Sequence, residues 1–392
     1  MTPAARVAAA IDILDRIASG SPAEQALTTW GRGNRFAGSK DRAAIRDQVF
    51  DALRRRSSLG ALGGGQNGRA LMIGALRAAG RDPAEVFTGE GYAPTPLTPE
   101  EACHVPPPEA DWPRSVRLDF PEWLEDELLR SLGRDLEPVM DLLRSRAPVH
   151  LRANIARAGR EAARAALAEE GIASEPHPLA ATTLEVTANA RRIRQSRAYL
   201  SGVVELQDAA SQAVVEEIGA PAGQGRALDY CAGGGGKALA LAALGWRVTA
   251  HDAEPRRMAD LPDRAARAGV AVEIAGAEAL AAQAPFDLVL SDAPCSGSGA
   301  WRRQADARWR LNPEGLDALV TLQDTVLGAA AAHVAPGGWL AYATCSLLRR
   351  ENEDRVDTFL ARHRDWRNMR SRRFSPLEGG DGFFLSMLEK LR

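Results

Sequence analysis

From about residue 201 onward, short apolar runs alternate with stretches of helical periodicity. RALDYC (226–231) runs into AGGGGK and the Ala/Leu-rich stretch ALALAALG. RVTAHD (247–252), VAVEIAG (270–276), FDLVLSD (286–292) and GGWLAYATCS (337–346) follow as further strand candidates, and GFFLSMLEK reads as a last one. Strands separated by helical segments predict βαβ units and a parallel sheet. Upstream, VHLRANI and TLEVTAN flank the helical REAARAALAEEG, so a small α/β subdomain is expected over about 147–200, preceded by short helices in FPEWLEDELLRSLG and LEPVMDLLRSRA. The first ~90 residues read as all-helical. One helix is expected over 3–18, and another in KDRAAIRDQVFDALRRRSSL, where Ile45, Val49 and Leu53 recur at helical spacing. GALGGGQNG reads as a break, and 91–113 as a proline-rich connection. The pattern therefore gives a multidomain chain: a helical region with its linker over 1–113, a small helical and α/β subdomain over 114–200, and a C-terminal α/β Rossmann-like domain over 201–392.

Length and composition agree with this. A chain of 392 residues is too long for one ordinary core. Its longest apolar stretches fall far short of the ~20 residues of a membrane span. The N-terminus reads as an amphipathic helix and not as a signal peptide, so a cytoplasmic protein without membrane contact is expected, with a monomer as the default. Four cysteines without CxxC spacing and six histidines without HxxxH or HExxH spacing give no zinc motif, and no metal is expected. Net charge is −2, which excludes a bulk basic footprint for nucleic acid. Only Lys40, Lys237 and Lys390 are lysines among the 49 basic residues, and Lys237 lies inside the glycine loop.

In DYCAGGGGK a strand enters glycines and then a helix, the arrangement that lets backbone N–H groups approach a ligand at a helix N-terminus. Asp252 ends the second strand of the alternating region about 20 residues later, where an acid binds a ribose hydroxyl pair in doubly wound sheets. Neither GxGxxG nor GxxxxGK[ST] is present, so NAD and a P-loop fit poorly; S-adenosylmethionine (SAM) fits better. Cys231, Ala232, Gly233, Gly234, Gly235, Gly236 and Lys237 are the candidate cofactor loop.

Cys295 follows the end of the fourth strand of this region, and Cys345 lies at the end of the fifth. Strands laid down in order on one side of a doubly wound sheet are neighbours, so both thiols should face one crevice, beside Asp292. Methylation of a pyrimidine carbon calls for such groups. A thiolate adding to carbon 6 of cytosine turns the ring into an enamine-like nucleophile at carbon 5. A polar group at the ring edge stabilises the charge that develops, and a second group helps release.

QDAASQ, CAGGGGK, HDAEPRRM, SDAPCSGSG, WRRQADARW, TLQDTVLGAA, APGGWLAYATCSLLRRENED and DGFF together resemble the RNA 5-methylcytosine methyltransferases of the Nop/Sun family, in particular its bacterial branch acting on small-subunit (16S) ribosomal RNA. The resemblance covers 201–392 and implies a class I SAM-dependent methyltransferase fold. It implies that Cys345 attacks, that Cys295 assists product release, and that Asp292 lies between cofactor and base. It also implies that 231–237 and Asp252 hold SAM. The N-terminal part is similar to a helical NusB-like RNA-binding domain. Two departures stand out: Gly233 and Gly234 replace the family's usual Ala-Pro, and Ala277 replaces its usual acid, with Glu278 next to it as the candidate substitute.

RNA binding by a slightly acidic chain needs local basic patches. RRIRQSR (with Arg191 and Arg192), WRRQADARWR (with Arg302 and Arg303) and RDWRNMRSRR are the candidates, since Arg contacts phosphate and Trp stacks on splayed bases. Arg302 and Arg303 are expected at the mouth of the crevice, receiving a flipped cytosine. Two alternatives stay open: a nucleotide-dependent oxidoreductase, which leaves the paired thiols unexplained, and a non-catalytic RNA-binding or ribosome assembly factor retaining the fold.

Overall fold

The structure, a computed structural model, describes residues 1–283 and 285–392. The chain forms two compact units: 1–147 together with 301–313, and 148–300 together with 314–392. Among the described residues no helix is long and apolar enough to cross a membrane.

The first unit is helical. Pro3–Ala18 starts at Thr2, whose side chain accepts the Ala5 N–H, with Pro3 where its missing donor costs nothing. Ala23–Gly33, Ser39–Arg54, Arg56–Gly63 and Gly68–Ala78 follow. Their apolar faces close on a core that includes Val7, Ile13, Trp30, Ile45, Val49, Leu53 and Ile73. The expected break in GALGGGQNG is narrower than its glycines suggest. The helix continues to Gly63, and only the left-handed Gly64 and the residues up to the Asn67 cap interrupt it. The glycines serve close approach instead. A Cβ on Gly63 would sit 1.8 Å from the Ala70 carbonyl oxygen, and one on Gly74 1.9 Å from that of Leu59. These two backbones touch, so Gly74→Ala must push the helices apart. It is expected to lower the unfolding free energy by about 1–3 kcal/mol, as overpacked cores do, measured by urea denaturation.

The second unit holds two sheets. The strands are β1 (Val149–Ala153), β2 (Ala173–Pro176), β3 (Thr183–Ala188), β4 (Val204–Leu206), β5 (Arg226–Asp229), β6 (Arg247–Ala250), β7 (Val272–Ile274), β8 (Phe286–Asp292), β9 (Val334–Thr344), β10 (Trp366–Phe374) and β11 (Phe383–Lys390). The small sheet is antiparallel in the order β2-β3-β1-β4, beside the helix Arg160–Glu169. Periodicity marked β1, β3 and this helix; β2 and β4, four and three residues long, are too short to show an alternation.

The large sheet has the order β10-β11-β9-β8-β5-β6-β7. The strands β5 to β9 run parallel, and β11 and β10 close one edge antiparallel. Its central strands are apolar on both faces, as a covered parallel sheet requires. The order reverses between β5 and β8, and ligands bind outside the carboxyl ends of strands at such a switch point. The Arg-rich RDWRNMRSRR, read as an RNA patch, forms the edge strand β10. Trp366 is buried, and Arg367, Arg372 and Arg373 pair with Glu389, Glu217 and Glu353. Outward charges on an edge strand also discourage pairing with another chain.

Candidate active site

The glycine loop opens at the end of β5. Tyr230 N–H donates to the Leu290 carbonyl at 2.8 Å, and Ala232 N–H to that of His251 at 2.9 Å, which ties the loop to the ends of β8 and β6. Gly235 has φ +80°, a conformation that side chains disfavour, and it starts the helix Gly236–Ala243. Gly233 N–H donates to Asp252 Oδ2 at 2.8 Å, so the acid that ends the second strand also shapes the loop. Arg152, from β1, donates to the carbonyl of Gly236 at 2.6 Å. Periodicity gave no signal for this brace, because β1 belongs to the other sheet.

Lys237 sits in the first turn of its helix, where the dipole disfavours a cation. It is buried, and its Nζ lies 2.7 Å from Asp292 Oδ2 and 4.9 Å from the centre of the Phe383 ring. Burial works against the ammonium, but Asp292 and then Asp229 outweigh it and raise the pKa of Lys237 above its ordinary value. Asp229 is fully enclosed, and the Ala238 N–H, in the helix that follows the loop, is the group directed at its carboxylate. Its pKa is pushed up to about 7, first by burial and then by Asp292, against the pull of Lys237. Burial, with Asp229 and Asp292, likewise pushes the Cys231 thiol up to about 12, so it stays protonated.

The shift at Asp229 has a pH signature. The folded chain binds this proton more tightly than the unfolded one. The contribution is therefore full below about pH 4 and is lost as pH rises through about 7. Asp229→Asn removes it. The variant is expected to gain up to about 4 kcal/mol on wild type between about pH 4 and pH 8, read from urea midpoints at each pH. A difference that does not change with pH would refute the assignment.

The two thiols meet. Asp292, at the end of β8, is the register partner of Ala343 on β9, and Cys295 Sγ lies 3.4 Å from Cys345 Sγ. The hydrogen bond to Cys345, then burial, then the negative charge of Cys345 and Glu351 raise the pKa of Cys295 well above the ordinary range. Either sulfur can donate across this contact. The turn after it is held by close backbone contact: a Cβ on Gly299 would lie 2.0 Å from the Gly382 carbonyl oxygen, which seats DGFF, and with it Phe383, beside this turn.

A buried carboxylate that the sequence reading gave no role knits the two cysteine segments. Glu351 is fully enclosed and accepts from Ser296 N–H at 2.8 Å, from the hydroxyls of Ser296 and Ser346, and from Gln323 Nε2 at 3.0 Å. Ser298 Oγ adds contacts to Ser346 Oγ and the Leu347 N–H. Its signal was present in RRENED, six residues beyond Cys345 in the chain, but a lone Glu in a charged run reads as solvated.

The other site candidates are more scattered. Asp252 is buried and accepts from Gly233 and Glu254 N–H groups, with Arg257 at 3.2 Å. Glu278 is exposed in the first turn of the short helix Ala277–Ala281. Arg191 and Arg192 are exposed on the 3-10 turn Ala190–Gln195. The expectation for Arg302 is overturned. It is 2 % exposed, and Arg303 is half-buried, because 301–313 belongs to the helical unit. There Trp301 is fully enclosed, and Arg308 lies over its ring and donates to the carbonyls of Asp119 and Leu143. Arg54 Nε in turn donates to the Arg302 carbonyl at 2.7 Å. An Arg/Trp run looks the same in sequence whether its guanidinium groups meet phosphate or backbone carbonyls.

S-adenosylmethionine can be tested against these residues. The loop leads into a helix N-terminus, the buried Asp252 stands at the end of the adjacent strand, and the enclosed Asp229 ends β5 itself. Such a donor set fits a cationic nucleoside.

Residues 218–388 match the family described as 16S rRNA methyltransferase RsmB/F, and residues 120–191 match the RsmF/B-like ferredoxin-like domain. The chain is 34% identical over 294 residues to the ribosomal RNA small subunit methyltransferase B of Xanthomonas campestris pv. campestris, covering 69% of this chain and 66% of that protein. To the protein of the same name from Xylella fastidiosa strain 9a5c it is 32% identical over 290 residues, covering 69% and 68%. A solved structure of a methyltransferase homolog protein from Pyrococcus horikoshii shares the fold, with a TM-score of 0.61 and 23% identity over 71% of this chain and 97% of that one. The chain thus matches about two thirds of the length of these two bacterial relatives.

Proposed function

Because the chain belongs to the RsmB/F family of 16S rRNA methyltransferases, whose members use SAM and make 5-methylcytosine, we propose that it transfers a methyl group from SAM to carbon 5 of a cytosine in 16S rRNA. The observation that carries this reading is the 3.4 Å approach of two thiols beside a buried Lys–Asp pair.

When bound, SAM supplies an electrophilic methyl group. The rest of the chemistry falls to the chain. Cys345 adds as thiolate to carbon 6 of the base, and Cys295, whose thiol is raised above the ordinary range, is assigned the donor of the hydrogen bond between the two sulfurs. The Lys237–Asp292 pair holds one proton at the ring edge, on Lys237 at rest, and offers it to the charge that develops on ring nitrogen 3. After methylation solvent water, acting as base, takes the carbon 5 proton, the proton on ring nitrogen 3 returns to Lys237, and the carbon 6–sulfur bond breaks. The thiol of Cys295 then stabilises the departing Cys345 thiolate, which is how it assists release. The loop 231–237 and Asp252 hold the cofactor, with Glu278 replacing the acid lost at Ala277. Arg191 and Arg192 remain the RNA contacts of this reading; Arg302 leaves it.

The helical region 1–113 acts as a NusB-like RNA-binding domain, 114–200 as a second RNA-binding element, and 201–392 as the catalytic domain. The protein works as a cytoplasmic monomer in this reading, since its substrate is made there.

The test is methyl transfer from labelled SAM to unmodified 16S rRNA, with transfer RNA as control, followed by nucleoside analysis. Label recovered as 5-methylcytosine in 16S rRNA is the expected result. Tight binding of 16S rRNA with no label transferred would instead favour a non-catalytic assembly factor.

A further inference from the structure

Away from the thiols, three side chains of the second unit converge. They are His150 on β1, His177 just after β2, and Glu185 on β3. His150 and Glu185 are register partners in the antiparallel ladder, so they stand on one face of the small sheet. His150 Nε2 lies 4.0 Å from Glu185 Oε2, and the rings of His150 and His177 meet edge-on with centroids 5.1 Å apart. One possible ligand atom from each residue lies within 4.8 Å of the other two.

The state of His150 points to a ligand. Its side chain is 0% exposed, yet Nε2 has no hydrogen-bond partner among the described residues. Its other nitrogen, Nδ1, lies 3.1 Å from Asp208 Oδ2 and 3.3 Å from the Ala209 N–H. These neighbours ask for opposite tautomers. The charged and shorter contact prevails, so Nδ1 carries the proton and donates it to Asp208. Asp208 is fixed in turn, since its Oδ1 accepts from Ala210 and Asp381 N–H groups. A carboxylate holding Nδ1–H leaves a basic lone pair on Nε2, the arrangement that orients metal-binding histidines.

We propose that His150 Nε2, the His177 imidazole and the Glu185 carboxylate form a site for a divalent cation of the zinc class. Two imidazoles and one carboxylate are donors that this borderline-soft ion accepts, with water completing a tetrahedron. Ligand bonds of about 2.0–2.1 Å place donors about 3.3 Å apart, so the cluster closes by a modest side-chain movement in which His177, whose Nδ1 accepts the Leu179 N–H at 3.3 Å, gives up an existing contact to the ion. Glu185, whose side chain is 40% exposed, has room to make it and leaves an entry path. The ion would link β1, β3 and the turn after β2. Through Asp208 it would also brace the start of the helix Ala209–Ile218 and the Asp381 turn that leads into Phe383. The inference does not depend on the identity of the RNA substrate.

The experiment uses the full chain, stripped of metal by dialysis against a chelator and titrated with Co(II) as a spectroscopic probe and then with Zn(II). Wild type is expected to take up one equivalent, to show the intense visible bands of tetrahedral Co(II), and to melt several degrees higher with Zn(II). His150→Gln should lose all three responses. Glu185→Gln, a half-exposed change that leaves the core intact, should weaken binding at least tenfold. The proposal is overturned if stripped wild type takes up no equivalent, or if Glu185→Gln binds as tightly as wild type. It is equally overturned if Co(II) shows near-ultraviolet thiolate absorption, which would place the ion on cysteine.

Discussion

Cys295→Ala mixed with SAM and unmodified 16S rRNA is expected to accumulate a protein–RNA adduct that survives denaturing electrophoresis, while Cys345→Ala forms none. The reason lies in the contact of the two sulfurs at 3.4 Å. In the proposed mechanism Cys345 is the attacking sulfur and Cys295 donates to it. Removing the donor leaves attack on carbon 6 possible but strips the departing thiolate of its hydrogen bond, so turnover should fall roughly 10²–10³-fold and the covalent species should build up. Removing Cys345 removes the bond-forming sulfur itself, and the rate should fall about 10⁴-fold or more, as it does when other covalent enzymes lose their nucleophile. If instead Cys345→Ala traps RNA and Cys295→Ala does not, the roles are reversed, and the direction of the Cys295–Cys345 hydrogen bond with them.

Asp292→Asn should damage both chemistry and folding. It leaves the Lys237 ammonium enclosed without its partner at 2.7 Å. Breaking a buried pair on one side costs about 3–5 kcal/mol. The lower figure applies here, because the Asp292 side chain is 31% exposed and Asp229 supplies residual attraction. Methyl transfer should fall by about 10²–10³-fold through kcat, since the ring-edge charge loses its stabilising partner. A double variant, Lys237→Met with Asp292→Asn, removes both charges and should recover most of the lost stability with none of the activity. If the double variant is no more stable than Asp292→Asn, the pair is not what holds this corner together.

The Glu351 cluster explains why both expectations can be so sharp. The segments carrying Cys295 and Cys345 are tied to one carboxylate by backbone and hydroxyl donors. A side-chain change at either sulfur therefore leaves the frame around it in place, and Glu351 supports the thiols without touching a reacting atom.

Local pattern determined the parallel sheet, the strands β1 and β3 with the helix between them, and the meeting of Cys295 and Cys345. The physical reason is that strand alternation and helical periodicity are short-range, and the rule that successive βαβ strands lie side by side turns chain order into adjacency. From FDLVLSD and GGWLAYATCS alone, two strand ends had to be neighbours, and the register of Asp292 with Ala343 is the result. Tertiary structure decided the rest. Arg302 was legible as a cation but not as a buried one, because its burial depends on 301–313 joining the helical unit. Gly63 and Gly74 looked like punctuation until two backbones met at them. His150, His177 and Glu185 have no metal-binding spacing in the chain; an antiparallel ladder and one turn bring them together. Lys237 was conspicuous in its loop, yet only the crossing from its helix to the end of β8 shows that its partner is Asp292. Each of these depends on contacts between residues distant in the sequence, and periodicity within a single element carries no record of such contacts.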